Sequence, residues 1–89
     1  MTAVKTWHID IYIGERDGRT HAQARLRPSE AVTLTGEGWA RLNPTDKDVP
    51  EIGDELAVAR ALSDLAHRLL HAAAQDLESI THENVHLHI

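Results

Sequence analysis

A chain of 89 residues has room for one domain. The absence of cysteine excludes disulfides and thiolate chemistry, and 42% hydrophobic with 26% charged residues fits a folded globule rather than a disordered chain. No apolar run approaches the roughly 18 residues of a membrane helix, and Met1-Thr2-Ala3-Val4-Lys5 lacks a secretory h-region, so a cytoplasmic protein without membrane contact is expected.

The net charge is −5, and it is unevenly spread. Residues 1–45 carry six basic and five acidic side chains, and residues 46–89 carry three basic and nine acidic. Phosphate neutralisation by Lys and Arg supplies most nucleic-acid affinity, so any nucleic-acid contact falls to the first half. Seven histidines would move the formal charge from −5 to +2 if all were protonated, because −5 + 7 = +2. Solubility and self-association should therefore change as the histidines titrate.

The elements follow in chain order. Trp7, Ile9, Ile11 and Ile13 alternate with Thr6, His8, Asp10 and Tyr12, the period of two of a half-buried strand. Glu15-Arg16-Asp17-Gly18 reads as a hairpin turn, since glycine accepts positive φ. A second strand over residues 19–27 turns Thr20, Ala22, Ala24 and Leu26 inward and His21, Gln23, Arg25 and Arg27 outward. Pro28-Ser29-Glu30 makes the next turn. A third strand over residues 32–42 puts Val32, Leu34, Gly36, Gly38, Ala40 and Leu42 on the inner face. The missing side chains of Ala22, Ala24, Gly36, Gly38 and Ala40 predict a low groove in which a helix backbone lies close, with a β-bulge at Gly36 or Gly38 as the alternative.

Asn43-Pro44 ends the sheet, and Pro50 opens a helix at the position where a missing N–H costs nothing. Glu51, Asp54 and Glu55 complement the positive end of its dipole. The apolar stripe Ile52, Leu56, Ala59, Leu62, Ala66, Leu69, Ala73, Leu77 and Ile80, widened by Val58, Leu65 and Leu70, is broader than one packing surface needs. At 1.5 Å per residue a helix over 51–80 is about 45 Å long, against about 27 Å for an eight-residue strand. The helix either breaks near residues 72–76 or overhangs the sheet. The fold class expected is α+β, a three-stranded antiparallel meander packed on one face by a long or broken C-terminal helix. The surplus apolar surface predicts a symmetric homodimer. The alternating tail, Val85, Leu87 and Ile89 against His86 and His88, reads as an extra strand, an arm or a frayed end.

Two surfaces carry chemistry-bearing residues. His82-Glu83-Asn84-Val85-His86 matches H-E-x-x-H, which on a helix places two imidazoles one turn apart around zinc with Glu as base. The match lies at a helix end without an obvious third ligand beyond His88, His71 or a carboxylate, so metal-dependent hydrolysis through His82, Glu83 and His86 is a remote reading. His67 and His71 share a helix face near Asp64 and read as an exposed stripe. No catalytic group assembles, and a non-enzymatic protein with no cofactor and no small-molecule substrate is expected. The outer sheet face is the other surface. There Tyr12, Arg25, Arg27, Trp39 and Arg41 combine aromatic rings with cations, as sheet-based RNA binders do. A wet face or a protein contact is the alternative.

The segments A-Q-A-R-L (22–26), G-E-G-W-A-R-L-N-P (36–44), V-P-E-I-G-D-E-L-A-V-A-R-A-L-S-D-L (49–65) and Thr81-His82 resemble a small actinobacterial family of unknown function, with a match over residues 7–82. The resemblance implies that residues 1–89 form a single domain of double-stranded-RNA-binding-like fold, similar to part of the ribosome hibernation promoting factors and assembled as a dimer. By analogy it implies a stress-linked, ribosome- or RNA-associated regulator, with a purely structural, protein-binding dimer as the alternative. RNA-binding members of that fold group place basic residues where this chain has Glu51, Asp54 and Glu55. RNA contact therefore falls to Arg25, Arg27 and Arg41.

Overall fold

The computed structural model describes residues 3–27, 34–41, 49–82 and 84–88. Strands β1 (His8–Arg16), β2 (Arg19–Arg27) and β3 (Leu34–Arg41) precede one helix, α1 (Pro50–Thr81). The strands form an antiparallel sheet in the order β1-β2-β3. This is the α+β, β-β-β-α arrangement expected. The expected turn at residues 28–30, the third strand's first and last residues, Asn43-Pro44, Glu83 and Ile89 lie outside the described residues.

The first turn is tighter than expected. β1 runs on through Arg16, and only Asp17 and Gly18 turn the chain, with φ of 52° and 71°. Two successive positive φ angles make a type I′ turn, whose twist matches that of the strands. Arg16 and Arg19 thereby become direct cross-strand partners.

The glycine groove is real and unbulged: Ala24 faces Gly36 and Ala22 faces Gly38 in continuous register. A Cβ on Gly36 would collide with the backbone of Ala61 and Leu65, and one on Gly38 with that of Ala57 and Ala61. Helix backbone thus rests directly on strand backbone. The core is correspondingly small-sided: Ala22, Ala24, Leu26, Ala40, Ala57, Ala61 and Leu65, edged by Leu34 and Val58.

The helix is unbroken over 32 residues. At 1.5 Å per residue it is about 48 Å long, close to the longest dimension of the molecule, 52 Å. Pro50 stands in its first turn, and His82 ends it in the left-handed region (φ 60°), its N–H donating to Glu78 O at 2.7 Å. Beyond the sheet, the tail returns along the helix without forming a strand. Val85 N donates to Glu78 Oε1 at 3.0 Å, and Ala74 is buried beside the tail.

The expected helix stripe is corrected. Ala57, Ala61 and Leu65 face the sheet, whereas Ile52, Leu56, Ala59, Leu62, Leu69, Leu77 and Ile80 stay exposed. The cause is the closeness of helix and sheet backbone at Gly36 and Gly38, where Ala57, Ala61 and the start of Leu65 sit directly on the glycines. The helix lies across β2 and β3 and scarcely touches β1. Ile9, Ile11 and Ile13, paired with Leu26, Ala24 and Ala22, share the inner face yet are 46%, 36% and 48% exposed.

Candidate functional site

The two sheet edges differ. On β3 the outward backbone is capped from the helix: Glu37 N donates to Asp64 Oδ2 at 2.9 Å, and Arg60 Nη1 donates to Trp39 O at 2.6 Å. Such capping blocks strand addition at that edge. The Glu37 N–H, then the Arg68 side chain at 3.1 Å, hold the Asp64 carboxyl below the usual carboxylate range. At about 100° per residue, Leu62 and Leu69 fall on the flank opposite Arg60 and Asp64, towards β1. Exposed apolar residues therefore stand on β1, on this helix flank and along the outer stripe.

The outer face carries the aromatic and basic residues in cross-strand rows. Arg16, Arg19 and Arg41 form one row; Gly14, His21 and Trp39 the next; then Tyr12, Gln23 and Glu37; then Asp10, Arg25 and Thr35. The five residues singled out from sequence, Tyr12, Arg25, Arg27, Trp39 and Arg41, do share this face but separate into two groups. At the far end Arg27 is ion-paired with Asp10, whose hydrogen bond and charge raise the Arg27 pKa further. Arg25 lies 5.1 Å over the Tyr12 ring and donates to Gln23 Oε1 at 3.0 Å. These cations are already met within the sheet. At the hairpin end, Trp39 stacks on His21 with centroids 4.1 Å apart and planes 28° from parallel. His21 Nε2 is 3.4 Å from Glu37 Oε1, without hydrogen-bond alignment. Arg41 belongs to this end, with Arg16 and Arg19.

Sequence reasoning missed Arg16, Arg19 and Gly14. The signal was available in Arg16-Asp17-Gly18-Arg19: a two-residue turn makes its flanking residues neighbours.

The histidines gather elsewhere. His67, His71, His86 and His88 line an open cavity of about 360 Å³ with Leu70, Ala74, Val85 and Leu87. No three metal-binding side chains converge among the described residues. The helix ends at Thr81 and His82 is left-handed, so His82 and His86 do not occupy one helical turn. The helical geometry of an H-E-x-x-H zinc site is absent. No helix among the described residues is long and apolar enough to cross a membrane.

A family model matches residues 5–86 under the description Rv2632c-like. The chain belongs to the Rv2632c-like family. It is similar to the uncharacterized protein Mb1767 of Mycobacterium bovis, 56% identical over 81 residues that cover 91% of this chain and 85% of the relative. The uncharacterized protein Rv2632c of Mycobacterium tuberculosis is 51% identical over 81 residues, covering 91% and 86%. The crystal structure of Rv2632c superposes with a TM-score of 0.84 at 49% identity, covering 92% of this chain and 96% of that one. This chain and Rv2632c therefore share one fold. The sequence resemblance to a family of unknown function stands in that form.

Proposed function

We propose that this member of the Rv2632c-like family is a non-catalytic homodimeric interaction protein. Its dimer joins through the outer helix stripe and the isoleucines of β1 and displays the outer sheet faces to ribosome or RNA. The observation that carries the reading is the helix face left uncovered: Ile52, Leu56, Leu62, Leu69, Leu77 and Ile80 are all exposed while Ala57, Ala61 and Leu65 fill the sheet side. Leucines and isoleucines left in water across a helix and an adjoining strand are costly at about 25 cal/mol per Å². Trp7, Ile9, Ile11, Ile13, Leu62, Leu69 and Leu77 are each between one-third and about one-half exposed. Together they supply a large part of the roughly 800 Å² per partner that a stable interface buries. A second copy is the occupant favoured, because a stripe running the length of a helix is self-complementary when the partner helix lies antiparallel. The capped β3 edge leaves β1 as the open side.

The RNA role draws support from the cations and exposed rings of the outer face. Co-sedimentation with ribosomes and with total RNA across a salt series tests it. Binding that falls steeply with salt supports the reading, since phosphate contacts release counterions. No association at low salt overturns it and leaves a protein-binding dimer.

A further inference from the structure

The hairpin end of the outer face holds charges that the fold itself does not satisfy. Arg16 is paired with Arg19, and Arg19 with Arg41, so three guanidinium groups stand in one row across the sheet. Opposed residues in an antiparallel pair are about 4.5–5.5 Å apart at Cα, and like charges directly opposite are destabilising. The only carboxylate contact on the row, among the described residues, is Asp17 at 3.9 Å from Arg16 Nε, with both side chains at least nine-tenths exposed. Arg25 and Arg27, on the same face, are engaged by Gln23, Tyr12 and Asp10. The contrast lies within one surface and is not a matter of general exposure.

The adjoining row supplies a platform. Trp39 is 58% exposed and backed by the His21 ring. Arg60 fixes the strand beneath it through Trp39 O. Gly14, in the same row, has open space where a side chain would stand. Arginine row, rings and bare glycine line one open cavity of about 730 Å³, together with Glu15 and Asp17. That volume lies in the range of small-ligand sites. Successive same-face rows are about 7 Å apart, a step that one ribose spans.

We propose that this cavity binds a nucleoside phosphate, the base stacked on Trp39 and the phosphate on Arg16, Arg19 and Arg41. The flat exposed ring selects a π-face, which a bare anion or an acidic peptide lacks. Three arginines against Glu15 and Asp17 leave a surplus of one positive charge (3 − 2 = 1), so the cavity attracts an anion. The inference rests on reading the outer sheet face as a binding surface, and it names the ligand chemistry of one end. That chemistry is shared by a free mononucleotide and by a nucleotide within a single strand.

Tryptophan fluorescence tests it on the full chain carrying Trp7→Phe, which leaves Trp39 as the sole indole. The titrants are uridine and adenosine 5′-monophosphates, the corresponding nucleosides, inorganic phosphate, and a uridine hexanucleotide. Saturable quenching by a monophosphate is expected, with nucleoside and phosphate alone each roughly tenfold weaker or more. Arg19→Gln and Arg41→Gln should each weaken it by roughly tenfold, and Lys5→Gln, at an exposed residue before β1, should leave it unchanged. A hexanucleotide at least tenfold tighter, on the same arginines, identifies a strand as the natural source; equal affinity identifies the free nucleotide. The proposal is overturned if neither the monophosphates nor the hexanucleotide quench at millimolar concentration. It is also overturned if phosphate competes as well as nucleotide, or if the Arg19 and Arg41 variants titrate like the parent. Quenching without ribosome or RNA co-sedimentation retains the subsite and removes the RNA role. Co-sedimentation that ignores Arg19 and Arg41, with no quenching by monophosphate or hexanucleotide, does the reverse.

Discussion

Gly38→Ala gives the sharpest perturbation of the fold. A Cβ there would overlap Ala57 O and Ala61 N and stand 2.8 Å from the carbonyl carbon of Arg60, where ordinary contact is 3.4–4 Å. All three neighbours are helix backbone, so no rotamer change relieves the clash. The helix must lift by about 1 Å, loosening Ala57 and Ala61 from the sheet and stretching the Arg60 bond to Trp39 O. Overpacking against side chains costs about 1–3 kcal/mol. Backbone on both sides places this case at or above the upper end. Replacing a strand glycine returns about 0.5–1 kcal/mol, for a net loss of about 2–3 kcal/mol. A domain of this size has about 4–13 kcal/mol in total. Urea unfolding followed by far-ultraviolet circular dichroism, at fixed protein concentration, should show the midpoint falling by roughly 1–2 M with an unchanged slope. Gly14→Ala, with nothing within 4 Å of its Cβ, serves as the control and should be neutral or slightly stabilising. A Gly38→Ala midpoint equal to that of Gly14→Ala would refute direct backbone-on-backbone packing.

Other perturbations address the helix. Asp64→Asn should lower stability near neutral pH, because the folded carboxyl is depressed by the Glu37 N–H and Arg68. A depressed carboxyl contributes above its unfolded value, so the gap between parent and variant should shrink as pH falls below about 4. A pH-independent gap in unfolding midpoints would contradict this. His82→Gly relieves a left-handed non-glycine residue (φ 60°) at the helix end and should stabilise by about 0.5–1 kcal/mol in the same urea assay. Ala61→Leu forces a large side chain into the glycine groove and should lower the midpoint, whereas Ala59→Leu, on the exposed face, should not.

Much of the fold is legible in the chain. Ile9, Ile11 and Ile13 announce a strand by alternation. Asp17-Gly18 announces a turn, Pro50 a helix start, and Gly36 and Gly38 a groove that takes helix backbone. The facing of the helix was not legible from hydropathy. A stripe chosen by size selects Ile52, Leu56, Leu62 and Leu69, but a groove floored by glycine selects Ala57 and Ala61. Shape complementarity overrode apolarity, and it becomes visible only when strand and helix are paired. Helix length left two outcomes open, a break near residues 72–76 or an overhang, and the helix takes the unbroken one. No Gly or Pro interrupts residues 72–76, and the helix stays whole, with the tail beside Ala74. On the outer face, composition drew Arg25, Arg27 and Arg41 together as one strip. Register separates them: Arg25 and Arg27 lie at the Asp10 end, where Arg27 pairs diagonally with Asp10, while Arg41 falls beside Arg19.

Sedimentation equilibrium of the chain beside Leu62→Lys/Leu69→Lys probes the exposed stripe most directly. At micromolar concentration the parent should sediment at twice the 9.9 kDa chain mass, and the double variant at the single-chain mass with its circular dichroism retained. A parent that remains at 9.9 kDa across that range would contradict the homodimer.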